Sequence, residues 1–490
     1  MATNLKTKHP IFSCYKRNDS FFDEIFNANG EVKEIYQKLF EIYGGHSIED
    51  FINLNNKARS SFFNQGITFQ VYGDNQVKEK IFPFDLFPRI IHPSEWDIIE
   101  RGAIQRSKAL NLFLHDIYHD KKIIKQGIVP LEMISSSENY LHQMMGIDPP
   151  GGIYNHVSGT DLIKHSDGKY YVLEDNIRCP SGVSYVVCNR TALKRALFGV
   201  FNHYKAHTVT NYAENLLDII ESVKPQGVDS PNCVVLTPGI YNSAYYEHSY
   251  LAKAMGVELV EGRDLFVENN FVYMKTITGP EKVDVIYRRV DDQFLDPFEF
   301  KPDSSLGVPG LFSVYKMGNV ALVNAPGTGV ADDKAIYTYM PQIIKYYLDE
   351  EPILNNVHTY HCSRPDELKY VLENIDKLVV KPVDEAGGYG VTIGNRLTKE
   401  EIEKVKEQIK AAPRKYIAQP IMSLSVHATY IDDTNSFEPR HVDLRTFTLL
   451  GKDKEFVLKG GLTRVALQKG NLIVNSSQGG GSKDTWVLKK

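Results

Sequence analysis

The strongest structural signal in this chain lies at residues 161–184, which read DLIKHSDGKYYVLEDNIRCPSGVS. The segment YYVLEDN (170–176) is typical of a strand, and the turn residues at 166–169 before it predict a hairpin. On the second strand, Glu174 and Asn176 are two residues apart, so their side chains share one face. The sequence therefore predicts a hairpin whose second strand ends in a carboxylate and an amide.

Asp161 adds a second carboxylate to this hairpin. It belongs to the strand expected before the turn, and the hairpin folds it back beside Glu174. Two carboxylates and an amide oxygen form an all-oxygen ligand set, which suits a Mg²⁺ ion that bridges nucleotide phosphates. The alternative is a hairpin with ordinary polar ends. Because a Pro-Ser-Gly turn follows directly at 180–182, we favour a metal site made by Asp161, Glu174 and Asn176.

A second candidate site lies at 378–394, LVVKPVDEAGGYGVTIG. An apolar strand delivers Lys381, and Gly387, Gly388 and Gly390 follow at once. Backbone N–H groups of a glycine-rich loop approach phosphate oxygens closely, and a lysine adds positive charge. The loop is neither a Walker A motif nor a dinucleotide fingerprint, because it lacks the Gly-Lys-Ser/Thr ending and the GxGxxG spacing. The alternative is that the glycines only form a hairpin turn.

Two shorter segments add candidate nucleotide contacts. NAPGTGVADDKA (324–335) places Lys334 after a glycine-containing loop, where it would be a second phosphate-binding lysine. The alternative is a helix N-terminus whose two aspartates complement the dipole, with the lysine in solvent. KYIAQPI (415–421) is a strand that ends in Gln419 and a proline. Because proline ends ladder pairing, backbone groups there are left to bind an adenine.

Several arginines follow predicted strands near these motifs. Arg178 comes two residues after Asn176, Arg288 ends a predicted strand, Arg445 begins another, and Arg464 lies further on. A guanidinium group binds carboxylate or phosphate through two parallel hydrogen bonds. We take Arg178, Arg288 and Arg445 as candidate catalytic residues. The alternative is that these arginines form structural pairs with aspartates at strand ends.

The composition indicates a globular protein of several domains. The chain has 490 residues, of which 42% are hydrophobic and 24% charged, so it is not expected to be mainly disordered. Neither a long apolar run nor an apolar leader is present, which predicts no membrane span and no secretory signal. A net charge of −5 disfavours nucleic-acid and membrane-surface partners. Five cysteines without a CxxC pair favour buried thiols in a reducing cytoplasm.

The pattern along the chain predicts an α/β (α+β) protein with four regions. Residues 1–150 are expected to be mostly helical, with a helix over 94–119 and a strand near 67–72. The hairpin segment spans 151–200, and 201–320 alternates strands and helices in an α/β domain. The lysines, the glycine loop and the adenine strand fall in 321–490.

Two further features have open interpretations. His115 and His119 are one helical turn apart, but the sequence suggests no third metal ligand nearby, so we favour a solvated helix face. The stretch 475–486, NSSQGGGSKDTW, predicts a flexible glycine loop that either covers a nucleotide or is merely a connection.

As a set, these motifs resemble those of ATP-grasp enzymes. The resemblance implies that the family's two phosphate-binding lysines, its glycine-rich loop, its adenine hinge and its magnesium hairpin correspond respectively to Lys334, Lys381, 387–390, Gln419 and Asp161 with Glu174 and Asn176. Here the metal hairpin precedes the lysines and the glycine loop, which is the order of a circular permutation.

The chain is most similar to the circularly permuted ATP-grasp type 2 family, whose members are often labelled putative glutathionylspermidine synthases. The hallmarks that carry the resemblance are GITFQVYGD, IFPFDLFPRII, YRRVDD, NAPGTGVADDKA, VDLRTF, GGLTRVA and SSQGGGSKDTW. They cover most of residues 65–490, with NAPGTG where NALGSG is expected. The resemblance implies a permuted ATP-grasp fold with a preATP-grasp-like α/β domain and a helical N-terminal region.

The resemblance also implies a Mg-ATP-dependent carboxylate–amine or carboxylate–thiol ligase. ATP would convert a small-molecule or peptide carboxylate to an acyl phosphate, and an amine would displace the phosphate, with arginines on the carboxylate and the tetrahedral oxyanion. Proteins encoded beside the gene are possible partners. The alternatives are an ATP-dependent phosphotransferase and a non-catalytic nucleotide-binding subunit of a peptide-modifying assembly. Because Cys14 is the only early cysteine, no amidase domain is expected, and a glutathionylspermidine substrate is poorly supported.

Overall fold

The computed structural model describes residues 10–73, 76–385, 389–472, 474 and 480–490. The fold is mixed α/β, as expected, and no helix among the described residues combines the length and apolar character needed to cross a bilayer. The elements up to the hairpin are α1 (Glu34–Gly44), α2 (Ile48–Asn64), β1 (Thr68–Gly73), β2 (Gln76–Ile81), β3 (Phe84–Ile91), α3 (Pro93–Tyr118), α4 (Lys122–Lys125), α5 (Leu131–Ser135), β4 (Val157–Lys164) and β5 (Tyr170–Asn176).

Helix α3 confirms the helix predicted over 94–119. Pro93 occupies its first turn, where the missing N–H needs no partner, and the ring of His92 accepts a hydrogen bond from the backbone of Ser94. Apolar residues at helical spacing bury one long face of α3, including Trp96 and Phe113. Strand β1 was also predicted, whereas β2 and β3 were not.

The middle of the chain forms an α/β unit around a parallel sheet. Its elements are α6 (Val183–Ala196), α7 (Tyr212–Ser222), β6 (Cys233–Leu236), α8 (Tyr245–Met255), β7 (Glu258–Val260), β8 (Leu265–Glu268), β9 (Phe271–Thr276), β10 (Gly279–Val283), β11 (Val285–Arg288), α9 (Leu311–Lys316) and β12 (Ala321–Val323). The parallel strands lie in the order β12-β11-β6-β7. Gly256 ends α8 as predicted, with a φ of 74° that favours glycine.

The remaining elements form or complete four sheets and supply further helices. They are α10 (Lys334–Tyr337), α11 (Met340–Leu348), β13 (Asn355–Asn356), β14 (Tyr360–His361), α12 (Pro365–Glu373), β15 (Leu378–Pro382), β16 (Thr392–Ile393), α13 (Lys399–Ala411), β17 (Tyr416–Pro420), β18 (Val426–Ile431), β19 (Ser436–His441), β20 (Leu444–Arg445), β21 (Thr448–Leu450), β22 (Glu455–Val457), β23 (Thr463–Val465) and β24 (Gly481–Val487). Strands β14-β17-β15-β16 form the sheet that carries the glycine loop, called the loop sheet below.

The predicted hairpin is present and lies inside a larger sheet. Strands β4 and β5 pair antiparallel, with Asp161 opposite Glu174. The sheet runs β13-β5-β4-β21-β22, and β20 also pairs with β4, which places Arg445 opposite Asp161. A buried ion pair joins Asp175 of β5 to Arg106 of α3. The hairpin is therefore fixed from both sides before any ligand binds.

The C-terminal glycine-rich stretch is not a loop over its whole length, so that prediction is partly wrong. Residues 481–487 form β24, which pairs parallel to β3 and antiparallel to β23, while 475–479 lie outside the described residues. All seven residues of β24 are buried, and its charged side chains have buried partners. The pairs are Lys483 with Asp85 and Asp484 with Arg190. Because buried positions of β24 carry charged residues, its sequence lacks the apolar pattern by which a buried strand is predicted.

We predict that Arg190→Met destabilises the protein strongly, because it leaves the buried Asp484 carboxylate without its cation. Breaking one side of a buried ion pair costs about 3–5 kcal/mol, so the free energy of unfolding should fall by that order. Urea denaturation followed by tryptophan fluorescence measures this change. The control Lys454→Met breaks an exposed pair with Asp218 and should cost less than about 1 kcal/mol. Equal losses in both variants would contradict a structural role for the buried pair.

Candidate active site

The hairpin and the loop sheet face each other across one cleft, although they are far apart in the chain. Asp161 and Glu174 line it from the hairpin, and Lys381 and Gln419 line it from the loop sheet. The two segments therefore contribute to a single cleft. Lys334, from the segment between them, lines the same cleft.

Lys381 is held in the cleft by Gln419. Its Nζ donates to Gln419 Oε1 at 2.7 Å, and Gln419 Nε2 donates to Thr359 Oγ1 at 2.9 Å. Burial lowers the pKa of Lys381 to about 8, although the Glu174 carboxylate acts in the opposite direction. The side chain of Gln419, which was predicted as an adenine contact, thus orients the lysine in this structure.

Lys334 lies in the cleft and not in solvent. It is the first residue of α10, with Asp333 as the N-cap, and its backbone N–H donates to Val383 O at 3.0 Å. Its Nζ donates to Glu385 O at 2.5 Å and lies 3.4 Å from Glu174 Oε2. The α10 N-terminus therefore directs a second ammonium group toward the hairpin carboxylate.

Apolar side chains also line the cleft. They come from the loop sheet, the segment after β17 and the segment after β23. They include Val379, Ile393, Pro420, Met422, Leu424 and Leu472. The cleft thus combines a hydrophobic surface with lysines and carboxylates.

The glycine loop connects β15 to β16. Gly390 has a φ of 67°, and a Cβ atom there would lie 2.6 Å from Cγ of Pro382, so only glycine fits. Gly387 and Gly388 lie outside the described residues. Glu385, which directly precedes the loop, lines the cleft and was missed from the sequence. The sequence feature that could have indicated Glu385 is the position of this acidic residue between the strand that carries Lys381 and the glycine loop.

A smaller cavity adjoins the cleft and shares three residues with it. Glu174, Lys334 and Glu385 line both, and Asn176 lines the smaller cavity. Further polar residues that line the smaller cavity are Asn139, Asp175, Arg178, Asp332 and Asp384. The oxygen-bearing side chains of this cavity fit a hard cation such as Mg²⁺.

Asp161, which was predicted as a metal ligand, has arginine partners in this structure. Arg445 donates to both of its carboxylate oxygens at 2.6 and 2.8 Å, and Arg464 donates to one of them at 2.8 Å. Arg464 also pairs with Asp443. Burial alone raises the pKa of Asp161, but the two arginines bring it well below its usual range. The role of Asp161 as a metal ligand stays a prediction.

The two remaining candidate arginines differ in position. Arg178 lines the smaller cavity, where its Nε lies 3.5 Å from Asp291 and 3.8 Å from Asp332. Arg288 is fully buried, pairs with Asp292 at 2.7 Å and donates to three backbone carbonyls. Among the described residues, Arg288 lines neither cavity. The structure therefore places Arg178 at the smaller cavity and Arg288 inside the α/β unit. Arg445 lines neither cavity and reaches the site only through its ion pair with Asp161.

Known proteins resemble this chain over most of its length. The family model for circularly permuted ATP-grasp type 2 matches residues 88–466. An uncharacterised Synechocystis protein is 51% identical over 96% of this chain and 97% of its own length. An uncharacterised Mycobacterium tuberculosis protein is 48% identical over 98% of this chain and 86% of its own length.

Two further proteins have names that describe a function. A Frankia alni protein named putative glutamate–cysteine ligase 2-3 is 38% identical over 96% of this chain and 54% of its own length. Among solved structures, a glutathione synthetase-like effector from Globodera pallida, in its apo form, has a TM-score of 0.57. That match covers 90% of this chain and 98% of the effector at 12% identity, which shows similarity of fold.

The family match and the structural similarity agree on the fold. The hairpin, the two lysines and the glycine loop occur in permuted order around one cleft. The chain belongs to the circularly permuted ATP-grasp type 2 family.

Proposed function

We propose that this protein is a Mg-ATP-dependent carboxylate–amine or carboxylate–thiol ligase that works through an acyl phosphate. The observation that carries the proposal is the convergence of Lys334, Lys381 and Glu174 on one cleft that apolar side chains also line. Such a cleft fits a nucleotide, with the ring on the apolar surface and the phosphates at the lysines. The nucleophile and the carboxylate then meet where the γ-phosphate lies.

The lysines supply most of the positive charge for the phosphates. Lys381 enters from the strand before the glycine loop, and Lys334 enters from the N-terminus of α10. Both Nζ atoms would donate strong charge-assisted hydrogen bonds to phosphate oxygens, in place of those they now donate to Gln419 Oε1 and Glu385 O. Because the cleft is partly closed to water, these charges act more strongly than they do at a surface.

The residues around the smaller cavity fit magnesium. We assign its ligands to Glu174, Asn176 and Glu385, since their side chains offer oxygens and line one space. When bound, Mg²⁺ neutralises charge on the phosphate oxygens. Asp161 holds Arg445 and Arg464 in this structure, and its predicted role as a further magnesium ligand is part of the proposal.

The chain's own groups position the reactants and supply no covalent nucleophile. Arg464 lines the cleft, and its planar guanidinium suits a carboxylate or the oxyanion that forms when the amine attacks. Arg178 lines the smaller cavity together with Glu174 and Lys334. Catalysis by positioning and charge stabilisation is sufficient for phosphoryl transfer to a carboxylate.

The proposal predicts ATP turnover that depends on both a carboxylate and an amine or thiol. We would incubate the protein with Mg-ATP and pools of amino acids, peptides and polyamines, and measure phosphate release and amide formation. Glutamate and cysteine belong in the first pool, because a Frankia relative is named a putative glutamate–cysteine ligase. Hydroxylamine should trap the acyl phosphate as a hydroxamate. A stable phosphorylated product without a hydroxamate would indicate a phosphotransferase, and ATP binding without turnover in any pool would indicate a non-catalytic subunit.

We predict that Lys381→Met weakens ATP binding while the protein stays folded, because methionine keeps the length of the side chain and removes its charge. A charge-assisted hydrogen bond is worth about 1.5–3 kcal/mol, so the Kd for ATP should rise roughly tenfold to a hundredfold in calorimetry. The control is Lys377→Met, since Lys377 is exposed just before β15. Unchanged ATP affinity in Lys381→Met would remove Lys381 from the phosphate site.

A pH profile gives an independent measure of the same lysine. Because burial lowers the pKa of Lys381 to about 8, the free protein loses this charge above that pH, while phosphate binding requires the ammonium form. ATP affinity of the unmodified protein should therefore fall about tenfold between pH 7 and pH 9. Lys381→Met should show no such decrease, and an identical profile in both proteins would contradict the assignment.

We predict that Glu174→Gln abolishes turnover but retains most of the ATP affinity. The substitution keeps the size of the side chain and removes the negative charge, so charge on the transferring phosphate is neutralised in the wrong place. Circular dichroism, ATP calorimetry and phosphate release measure folding, binding and chemistry separately. Glu373→Gln is the matched control on the exposed surface of α12. Turnover of the Gln variant at the unmodified rate would show that Glu174 is not a metal ligand.

A further inference from the structure

Two histidines near the end of α3 meet an aspartate from a following loop. His115 and His119 are one turn apart, and their rings stack with centroids 4.3 Å apart. Asp148 Oδ1 lies 3.4 Å from His115 Nε2 and 3.3 Å from His119 Nε2. The sequence suggested no third ligand for this pair, and the structure supplies one. None of the three lines the cleft or the smaller cavity described above.

Asp148 reaches the histidines because its loop is anchored on α3. The backbone N–H of Gly146 donates to Tyr118 O at 2.8 Å, in the last turn of the helix. Beyond Asp148, the backbone N–H of Tyr154 donates to Asn111 Oδ1 at 2.8 Å, one turn before His115. The loop is thus attached on both sides of Asp148, so the aspartate lies opposite both imidazoles.

The spacing of the three side chains matches tetrahedral coordination. Ligand bonds of about 2.0–2.1 Å in a tetrahedral site place neighbouring ligand atoms about 3.3–3.4 Å apart. The two histidine-to-aspartate distances, 3.4 and 3.3 Å, have this value. All three ligand atoms lie within 4.8 Å of one another. The two rings are stacked at an interplanar angle of 8°, so one ion contacts all three ligands once the imidazoles rotate about their side-chain bonds and direct both Nε2 lone pairs at it.

The hydrogen bond made by Nδ1 of His119 leaves its Nε2 available to bind a metal. Its Nδ1 lies 2.9 Å from the carbonyl oxygen of His115, so Nδ1 carries the proton and donates it. In the neutral ring, Nε2 then carries the lone pair, and this buried atom has no hydrogen-bond partner among the described residues. It faces a carboxylate oxygen, which is also an acceptor. A backbone acceptor on the distal nitrogen is the usual support for a metal-bound imidazole.

We propose that His115, His119 and Asp148 bind Zn²⁺, with water as the fourth ligand. Two imidazoles and one carboxylate suit zinc, whereas magnesium prefers ligands that are all oxygen, so this site is distinct in chemistry from the nucleotide site. Asp148 is 71% exposed and His115 is 48% exposed, so the ion enters from solvent. The zinc links the loop after α5 to α3. Tyr118, in the same last turn of α3, donates its hydroxyl to Gly327 O in the segment that leads to Lys334.

The test uses the full chain, freed of metal by a chelator and without ATP. Zn²⁺ is titrated by calorimetry in excess Mg²⁺, which occupies the oxygen site. We expect one high-affinity Zn²⁺ per chain. His119→Ala and Asp148→Asn should each weaken binding at least tenfold, as even the loss of a supporting hydrogen bond costs about 10–100-fold. His203→Ala, which removes an exposed histidine elsewhere, should bind as the unmodified protein does.

Two spectroscopic and stability measurements accompany the titration. Co²⁺ should give the intense visible absorption of tetrahedral coordination in the unmodified protein and in His203→Ala, and lose it in His119→Ala. Zn²⁺ should raise the Tm of the unmodified protein but not that of Asp148→Asn, because binding to the folded state alone stabilises it. The absence of stoichiometric Zn²⁺ binding would overturn the proposal. Equal affinity in the unmodified protein, His119→Ala and Asp148→Asn would also overturn it.

Discussion

The architecture of the cleft depends on one buried carboxylate, Asp161, and the two guanidinium groups that it holds. Asp161 is almost fully buried in β4, and Arg445 and Arg464 come from two different C-terminal strands. With Asp443, which pairs with Arg464, the cluster has two negative and two positive charges. Because the cluster is formally neutral, its charges can be buried, whereas burying one isolated charge in the same place would destabilise the fold by several kcal/mol. The cluster therefore joins the hairpin to the C-terminal strands at the base of the cleft.

The balance of charge continues through the rest of the site. Lys334 lies 3.4 Å from the Glu174 carboxylate. Lys381 donates a hydrogen bond to Gln419, and the negative charge of Glu174 also acts on it. Lys381 donates to an amide oxygen and Lys334 to a backbone carbonyl oxygen, and a phosphate oxygen can replace either acceptor. The arginines at Asp161, by contrast, have strong partners and stay in place when a ligand enters or leaves. The site therefore combines arginines whose partners are fixed with lysines whose partners a ligand can replace.

Local patterns were sufficient to predict much of this fold. The hairpin, α3, α8 and α13 follow from turn residues, helical spacing and terminal caps, which act over a few residues. The lysine strand and its glycine loop were predicted for the same reason. The partners of Asp161 were not, because Arg445 and Arg464 lie 284 and 303 residues away in the chain. Pairings over such distances are set by topology and not by local pattern. Asp148 opposite the histidines and Glu385 beside Glu174 were missed for the same reason.

The buried charges of β24 have a consequence for the order in which the protein folds. Lys483 and its partner Asp85 are separated by 398 residues, so β3 is synthesised long before the strand that completes its sheet. At about 5–20 residues per second, the ribosome takes roughly 20–80 s to make that intervening chain. During this time β3 presents an unpaired edge, and both Asp85 and Arg190 lack their partners. The sheet that contains β3 is therefore completed only when translation reaches β24.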